Sequence, residues 1–126
     1  MALALATTLR NTRAADIITA MGSSGKMRFY SGTRPATGGA ETTVLATLTF
    51  NTAFGTATNG VIDVNETVTQ TNANHVSGTP TWVRLMTSAD AFVADLSIGT
   101  DITFSGTIAT GVDITLTNCT ITEGNA

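Results

Sequence analysis

The chain has 126 residues, a formal net charge of −3, only 12% charged residues and a single Cys. This length fits one domain, which buries roughly two thirds of the surface of its unfolded chain and needs no disulfide or metal to fold. A lone Cys119 excludes an internal disulfide and a Cys-based zinc site, and no run approaches the roughly 18–20 apolar residues of a membrane-spanning helix.

"MALALA" opens the chain without a basic n-region, and its apolar run is short for a secretory leader. Synthesis in the cytoplasm is the expectation. The first element is a helix over roughly 8–21, with Leu5, Leu9, Ile17, Ile18 and Met21 near i, i+4 spacing. Thr8 is its expected N-cap and Gly22 its left-handed cap.

After Gly25 the period changes to two. "KMRFYS" sets Met27 and Phe29 on one face and Arg28 and Tyr30 on the other. "GTRPATGGA" follows as a long connection, since Pro lacks a ladder donor and Gly permits positive φ. "TVLATLTF" alternates Val44, Ala46, Leu48 and Phe50 against Leu45, Thr47 and Thr49. "NTAFGTATNG" is a turn-rich link closing on Asn59-Gly60. "VIDVNETVTQT" is one strand alternating Ile62, Val64, Glu66 and Val68, and "NANHVSGTP" is a polar loop in which His75 is solvated or at an interface. "TWVRLM" places Val83 and Leu85 opposite Trp82, Arg84 and Met86, with Trp82 expected in the core. "FVADLSI" and the Gly-broken "ITFSGTI" precede "GVDITLTNCTIT", which alternates Val112, Ile114 and Leu116 and then slips phase near Asn118.

Thr is the commonest residue, and β-branched side chains suit pleated surfaces. About eight short strands separated by turn signals predict an all-β fold, an antiparallel β-sandwich of jelly-roll type with one short N-terminal helix. Residues 1–126 form a single domain, with 1–24 a helical arm and 25–126 the sandwich. A sparsely charged surface rich in Thr, Ala, Ser and Gly suits burial against other subunits, so a homo-oligomer is expected.

No constellation for catalysis appears. His75 is the only His, there is no G-x-S-x-G elbow, and no Gly-rich loop leads into a helix. Asp63, Glu66, Asp90, Asp95, Asp101 and Asp113 lie one per strand or turn, without the spacing of a calcium loop. No catalytic residue, cofactor or metal is expected, and the protein reads as a non-enzyme. Five cations stand against Asp16 in residues 1–40, while Arg84 alone faces eight carboxylates in residues 41–126. That pattern favours pairing with the acidic body or an acidic neighbour over nucleic acid. Arg10, Arg13, Arg28 and Arg34 are therefore the candidate interface residues, with Arg34 free to reach a neighbouring chain. Trp82, Tyr30 and Arg84 offer an alternative, the platform of a carbohydrate-binding module.

"KMRFYSGTRPATGGAETTVLATLTF", "GTPTWVRLMTSADAFVADLSIG" and "ITLTNCTIT" together resemble small structural proteins of tailed bacteriophages. The likeness spans roughly residues 8–122. It implies a β protein of the virion, a decoration or cement protein on the head that contacts the major capsid protein or other virion proteins. A tail or head–tail connector component is the alternative that the resemblance implies.

Overall fold

The structure, a computed structural model, describes residues 5–116 and 119–122. Helix α1 (Thr7–Met21) is followed by strands β1 (Lys26–Ser31), β2 (Thr43–Phe50), β3 (Gly55–Thr58), β4 (Val61–Val64), β5 (Val68–Thr69), β6 (Trp82–Met86), β7 (Phe92–Ser97) and β8 (Thr120–Thr122). The strands make two antiparallel sheets, ordered β5-β2-β1-β6-β7 and β3-β4-β8. The fold is thus mostly β with one short helix, and no helix among the described residues is long and apolar enough to cross a membrane.

The helix begins at an uncapped, extended Ala6, two residues earlier than a Thr8 cap requires. Thr8 sits inside the first turn, where its carbonyl accepts from Thr12 Oγ1 at 3.1 Å. At the other end Gly22 has φ +75°, and its N–H bonds back to the Ile18 and Thr19 carbonyls. Ala14 and Met21 are buried, Ile17 and Ile18 are half-buried, and Leu9 is exposed. The apolar stripe is therefore shorter than expected, and it packs on β3, β4 and β7.

Several strand assignments change. The link 51–60 contains β3, paired with β4 across Asn59-Gly60. Both turn residues have positive φ, +52° and +82°, the requirement of a type I′ hairpin, which Asn-Gly satisfies. The single strand expected over 61–71 breaks at Asn65, whose Oδ1 accepts from the Thr67 N–H at 3.0 Å. This local turn sends β4 into one sheet and β5 into the other. In β2 the pairing slips, so that Phe29 faces Ala46 while Tyr30 faces Val44. Leu45 is the extra residue and turns into the core, leaving Val44 exposed, the reverse of simple alternation.

The strands expected in "ITFSGTI" and over residues 111–116 do not form, and residues 102–116 carry only isolated bridges, Ile98 to Ile102, Ile102 to Ile121 and Gly78 to Ile108. Val112 is exposed, although Ile114 and Leu116 are buried as alternation predicts. The phase slip expected near Asn118 lies outside the described residues.

One core unites the two sheets. Met27, Phe29, Leu48, Phe50, Val83 and Leu85 come from the first, and Ile62, Val64 and Ile121 from the second. Phe29 packs on Phe104 and Phe50 on Phe54, each with ring centroids 4.9 Å apart. Cys119 is buried there, and burial, reinforced by Asp63, pushes its thiol up to about 12. It is a core residue rather than a nucleophile.

Candidate functional site

The face of the five-stranded sheet that points away from this core carries Lys26, Arg28 and Arg84 with the carboxylates that answer them. Strand register sets Tyr30 beside Trp82, Arg28 beside Arg84, and Arg84 beside Asp95. Like charges directly opposite one another destabilise a sheet, so the Arg28–Arg84 pair needs carboxylates. They arrive from two sides. Asp95 on β7 takes Arg84 bidentately, with Nε to Oδ1 at 2.7 Å and Nη2 to Oδ2 at 3.0 Å. Both side chains are nearly inaccessible, 9% and 1% exposed, which marks a buried pair rather than a surface one.

The second carboxylate comes from residues 32–42, which form a strap over the sheet. Glu41 Oε1 accepts from Arg28 Nη1 at 2.9 Å and from the Tyr30 hydroxyl at 2.6 Å, and stands 4.0 Å from Arg84 Nη1. The strap turns at residues 36–39, closed by Gly39 N–H to the Ala36 carbonyl at 2.7 Å. Gly38 holds φ +69° in the third position of that turn, where a type II geometry requires Gly. The turn lands on the ion pair: Gly38 N–H donates to Asp95 Oδ2 at 3.2 Å and Arg84 Nη2 donates to the Gly39 carbonyl at 2.7 Å. Arg34 donates from Nε to Ser97 Oγ at 2.8 Å. Thr42 ties the far end, accepting from Trp82 Nε1 at 2.9 Å and donating to the Ser31 carbonyl.

Beneath the strap the Tyr30 and Trp82 rings stack with centroids 4.0 Å apart and planes 9° from parallel. Both residues are fully buried. The Arg84 guanidinium lies 5.4 Å from the centroids of both Trp82 and Phe92. At the open end Lys26 Nζ meets Asp90 Oδ1 at 2.8 Å, and Arg28 Nη2 stands 3.8 Å from the same oxygen.

These contacts set the protonation behaviour. Burial, then the Glu41 carboxylate, raises the Tyr30 phenol above its ordinary value. The Asp95 hydrogen bond raises Arg84 despite burial. Burial pulls Arg28 down, but Tyr30 and Glu41 together leave it raised. The Lys26 hydrogen bond and charge lower Asp90.

The structure distributes the four candidate arginines over two places. Arg28 and Arg34 belong to the strap system, and Arg34 folds back onto its own sheet instead of extending outward. Arg10 and Arg13 lie on α1, where Arg10 packs over the Gly60 turn with Nε buried and unpartnered among the described residues. Trp82, Tyr30 and Arg84 do come together, but with no open ring face. The carboxylates remain apart. Asp101 accepts from the Ser97 N–H at 2.8 Å, and Asp113 from Asn72 Nδ2 at 2.8 Å. No cluster of three metal-ligating side chains occurs among the described residues.

His75 corrects a sequence expectation. It is only 3% exposed, because residues 75–78 run between β2 and the segment 108–112. Val76 N–H reaches the Leu45 carbonyl, Gly78 pairs with Ile108, and Thr110 Oγ1 donates to the His75 carbonyl at 2.6 Å. Glu41 and Asp95 were not legible as a pair from spacing. Two aromatics on the outward phase of adjacent strands were the available signal that something covers them.

Comparisons with protein families, curated proteins and solved structures give no match to this chain.

Proposed function

We propose that the protein is a non-catalytic structural component of a tailed-bacteriophage particle, a decoration or cement protein that binds the major capsid protein of the head. In this reading the two sheets are the layers of a jelly-roll-like β-sandwich, and copies of the chain associate on the particle. One observation carries the proposal. The two longest segments that resemble phage structural proteins are β1-strap-β2 and β6–β7, and these are neighbours in one sheet. The two longest stretches of the likeness therefore lie side by side in one sheet.

That sheet suits a docking role. Its cations are answered by carboxylates within the chain, so a partner that covers it leaves few charges unpaired. The strap is pinned at both ends and in its middle, which lowers the ordering cost of association. Arg10 on α1, away from the strap, is the residue proposed to meet acidic groups of the neighbour, while Arg28 and Arg34 hold the strap itself.

The test is sedimentation of purified protein with shells assembled from the major capsid protein encoded in the same genome. Saturable co-pelleting, with a rise in the heat resistance of the shells, is expected. A protein that stays monomeric and never pellets with the shells overturns the proposal.

A further inference from the structure

A second concavity opens on the same sheet, beyond the strap. It is a groove of about 400 Å³ between β2 and the turn at residues 71–75, within the range of small-ligand sites. Lys26, Thr47, Thr49, Thr71, Asn74 and His75 supply its polar groups, and Val44 and Ala46 add apolar wall. A larger hollow of about 500 Å³ beside β4, lined by Asp63 and Glu66, contains no buried unpaired group among the described residues.

His75 distinguishes the groove. Its Nδ1 lies 3.0 Å from the Val112 carbonyl, which can only accept, so in the neutral ring Nδ1 carries the proton. Nε2 is then a bare acceptor. It is buried and has no hydrogen-bond partner among the described residues. A buried unpaired acceptor costs about 1–3 kcal/mol, and such groups call for an explanation. The other lining groups also have capacity to spare. Thr49 and Thr71 hydroxyls and the Asn74 amide make no side-chain hydrogen bonds among the described residues, and Lys26 uses one of its three N–H donors on Asp90. Thr47 Oγ1 already accepts from Arg28 Nε at 3.1 Å, which leaves its own proton to donate.

We infer that this groove binds a neutral, hydroxyl-rich ligand of one or two sugar residues. The bare acceptor of His75 requires a donor, while Lys26, Thr47 and Asn74 require acceptors. A sugar hydroxyl is both, and its C–H face fits Val44 and Ala46. Lys26 is already neutralised by Asp90, so an anion gains less there than its charge suggests. Thr71 and Asn74 are exposed and line the groove with His75, and a ligand has to displace whatever covers the ring edge, because Nε2 has no solvent contact in the structure. This site differs from the Trp82–Tyr30 platform and is independent of capsid binding.

His75 is the only His, so its imidazole gives one set of nitrogen signals. The experiment titrates isotopically labelled protein with glucose, galactose, mannose and N-acetylglucosamine, and separately with inorganic phosphate. At least one sugar is expected to shift the His75 Nε2 signal and the Thr49, Thr71 and Asn74 amides saturably. The Thr49→Val/Thr71→Val variant should melt like the parent and bind about tenfold more weakly, the equivalent of roughly one lost hydrogen bond. Three results overturn the inference: no saturable shift with any of these sugars, shifts with phosphate alone, or an undiminished affinity in the double variant.

Discussion

The strap-covered face and the His75 groove share one sheet yet treat polar groups in opposite ways. Under the strap, Lys26, Arg28 and Arg84 each meet a carboxylate, and both aromatic heteroatoms find partners. Along the groove, hydroxyls and an imidazole nitrogen stay unpaired. Charge cannot be taken out of water without a partner, whereas neutral hydroxyls at a rim remain hydrated at little cost. Full internal pairing gives the first region a finished surface, with no polar group among the described residues there left waiting for a small ligand. Incomplete pairing marks the second as a place for something from outside.

The sharpest way to break this contrast is to remove one carboxylate from the paired region. Asp95→Ala leaves Arg84 with the Gly39 carbonyl and the more distant Glu41, and frees the Gly38 N–H. Loss of one partner of a buried pair costs about 3–5 kcal/mol, to be read from urea unfolding. The double variant Arg84→Met/Asp95→Leu should recover most of that stability, since apolar replacements of buried pairs are often neutral. It should not restore the strap, whose turn loses both anchors. A double variant as unstable as Asp95→Ala would mean that the pair does more than hold the strap.

Trp82→Ala tests the aromatic layer of the same region. The ring is fully buried, stacked on Tyr30 and tied to Thr42, so its truncation should cost about 3–5 kcal/mol. As Trp82 is the only Trp, its emission reports the strap directly. Blue-shifted emission is expected in the folded protein and a red shift in Arg84→Met/Asp95→Leu.

Much of the fold was legible because it depends on local pattern. Alternation in "KMRFYS" and "TWVRLM" assigned the inward residues correctly, and Asn59-Gly60 marked a turn, though not the strand β3 that precedes it. What failed depended on distant contacts. Leu45 turns inward only through a bulge against β1, and Asn65 ends a strand by bonding its own backbone. His75 reads as a loop residue, yet residues 108–112 bury it from far along the chain. The candidate site was half visible. Tyr30, Trp82 and Arg84 were grouped correctly, but the strap that covers them contributes Glu41 through tertiary contact, which no spacing reveals.

A smaller effect separates the hydroxyl of Tyr30 from its ring. Tyr30→Phe keeps the stack and removes the 2.6 Å bond to Glu41, a charge-assisted bond worth about 1.5–3 kcal/mol. The same bond has an alkaline signature. The folded phenol is raised above its unfolded value of about 10. Its stabilisation is therefore complete below about pH 10 and is lost as pH rises toward the folded value. Tyr30 is the only Tyr, so tyrosinate absorbance should lag in the folded protein and appear together with unfolding. Ordinary titration of a folded protein would show that the strap leaves the hydroxyl open.

The smallest effect belongs to the rim, where the paired region meets the groove. Lys26 lines the groove and bonds Asp90, whose side chain is 55% exposed. An exposed pair is screened by water and salt and contributes little. The sign is still defined. Lys26 holds the folded Asp90 carboxyl below its ordinary value, so its contribution is present above the unfolded value of about 3.9 and disappears as pH falls through the folded one. Asp90→Asn should leave neutral stability within error and flatten only the acid limb of the stability curve, and high salt should erase that difference. It also frees Lys26 toward the groove. If the groove takes neutral sugars, their affinity should change little in this variant, whereas phosphate should begin to bind where it did not before. Phosphate binding to the parent as tightly as to Asp90→Asn would show that Asp90 does not neutralise the groove, and the contrast between the two regions would fail at their boundary.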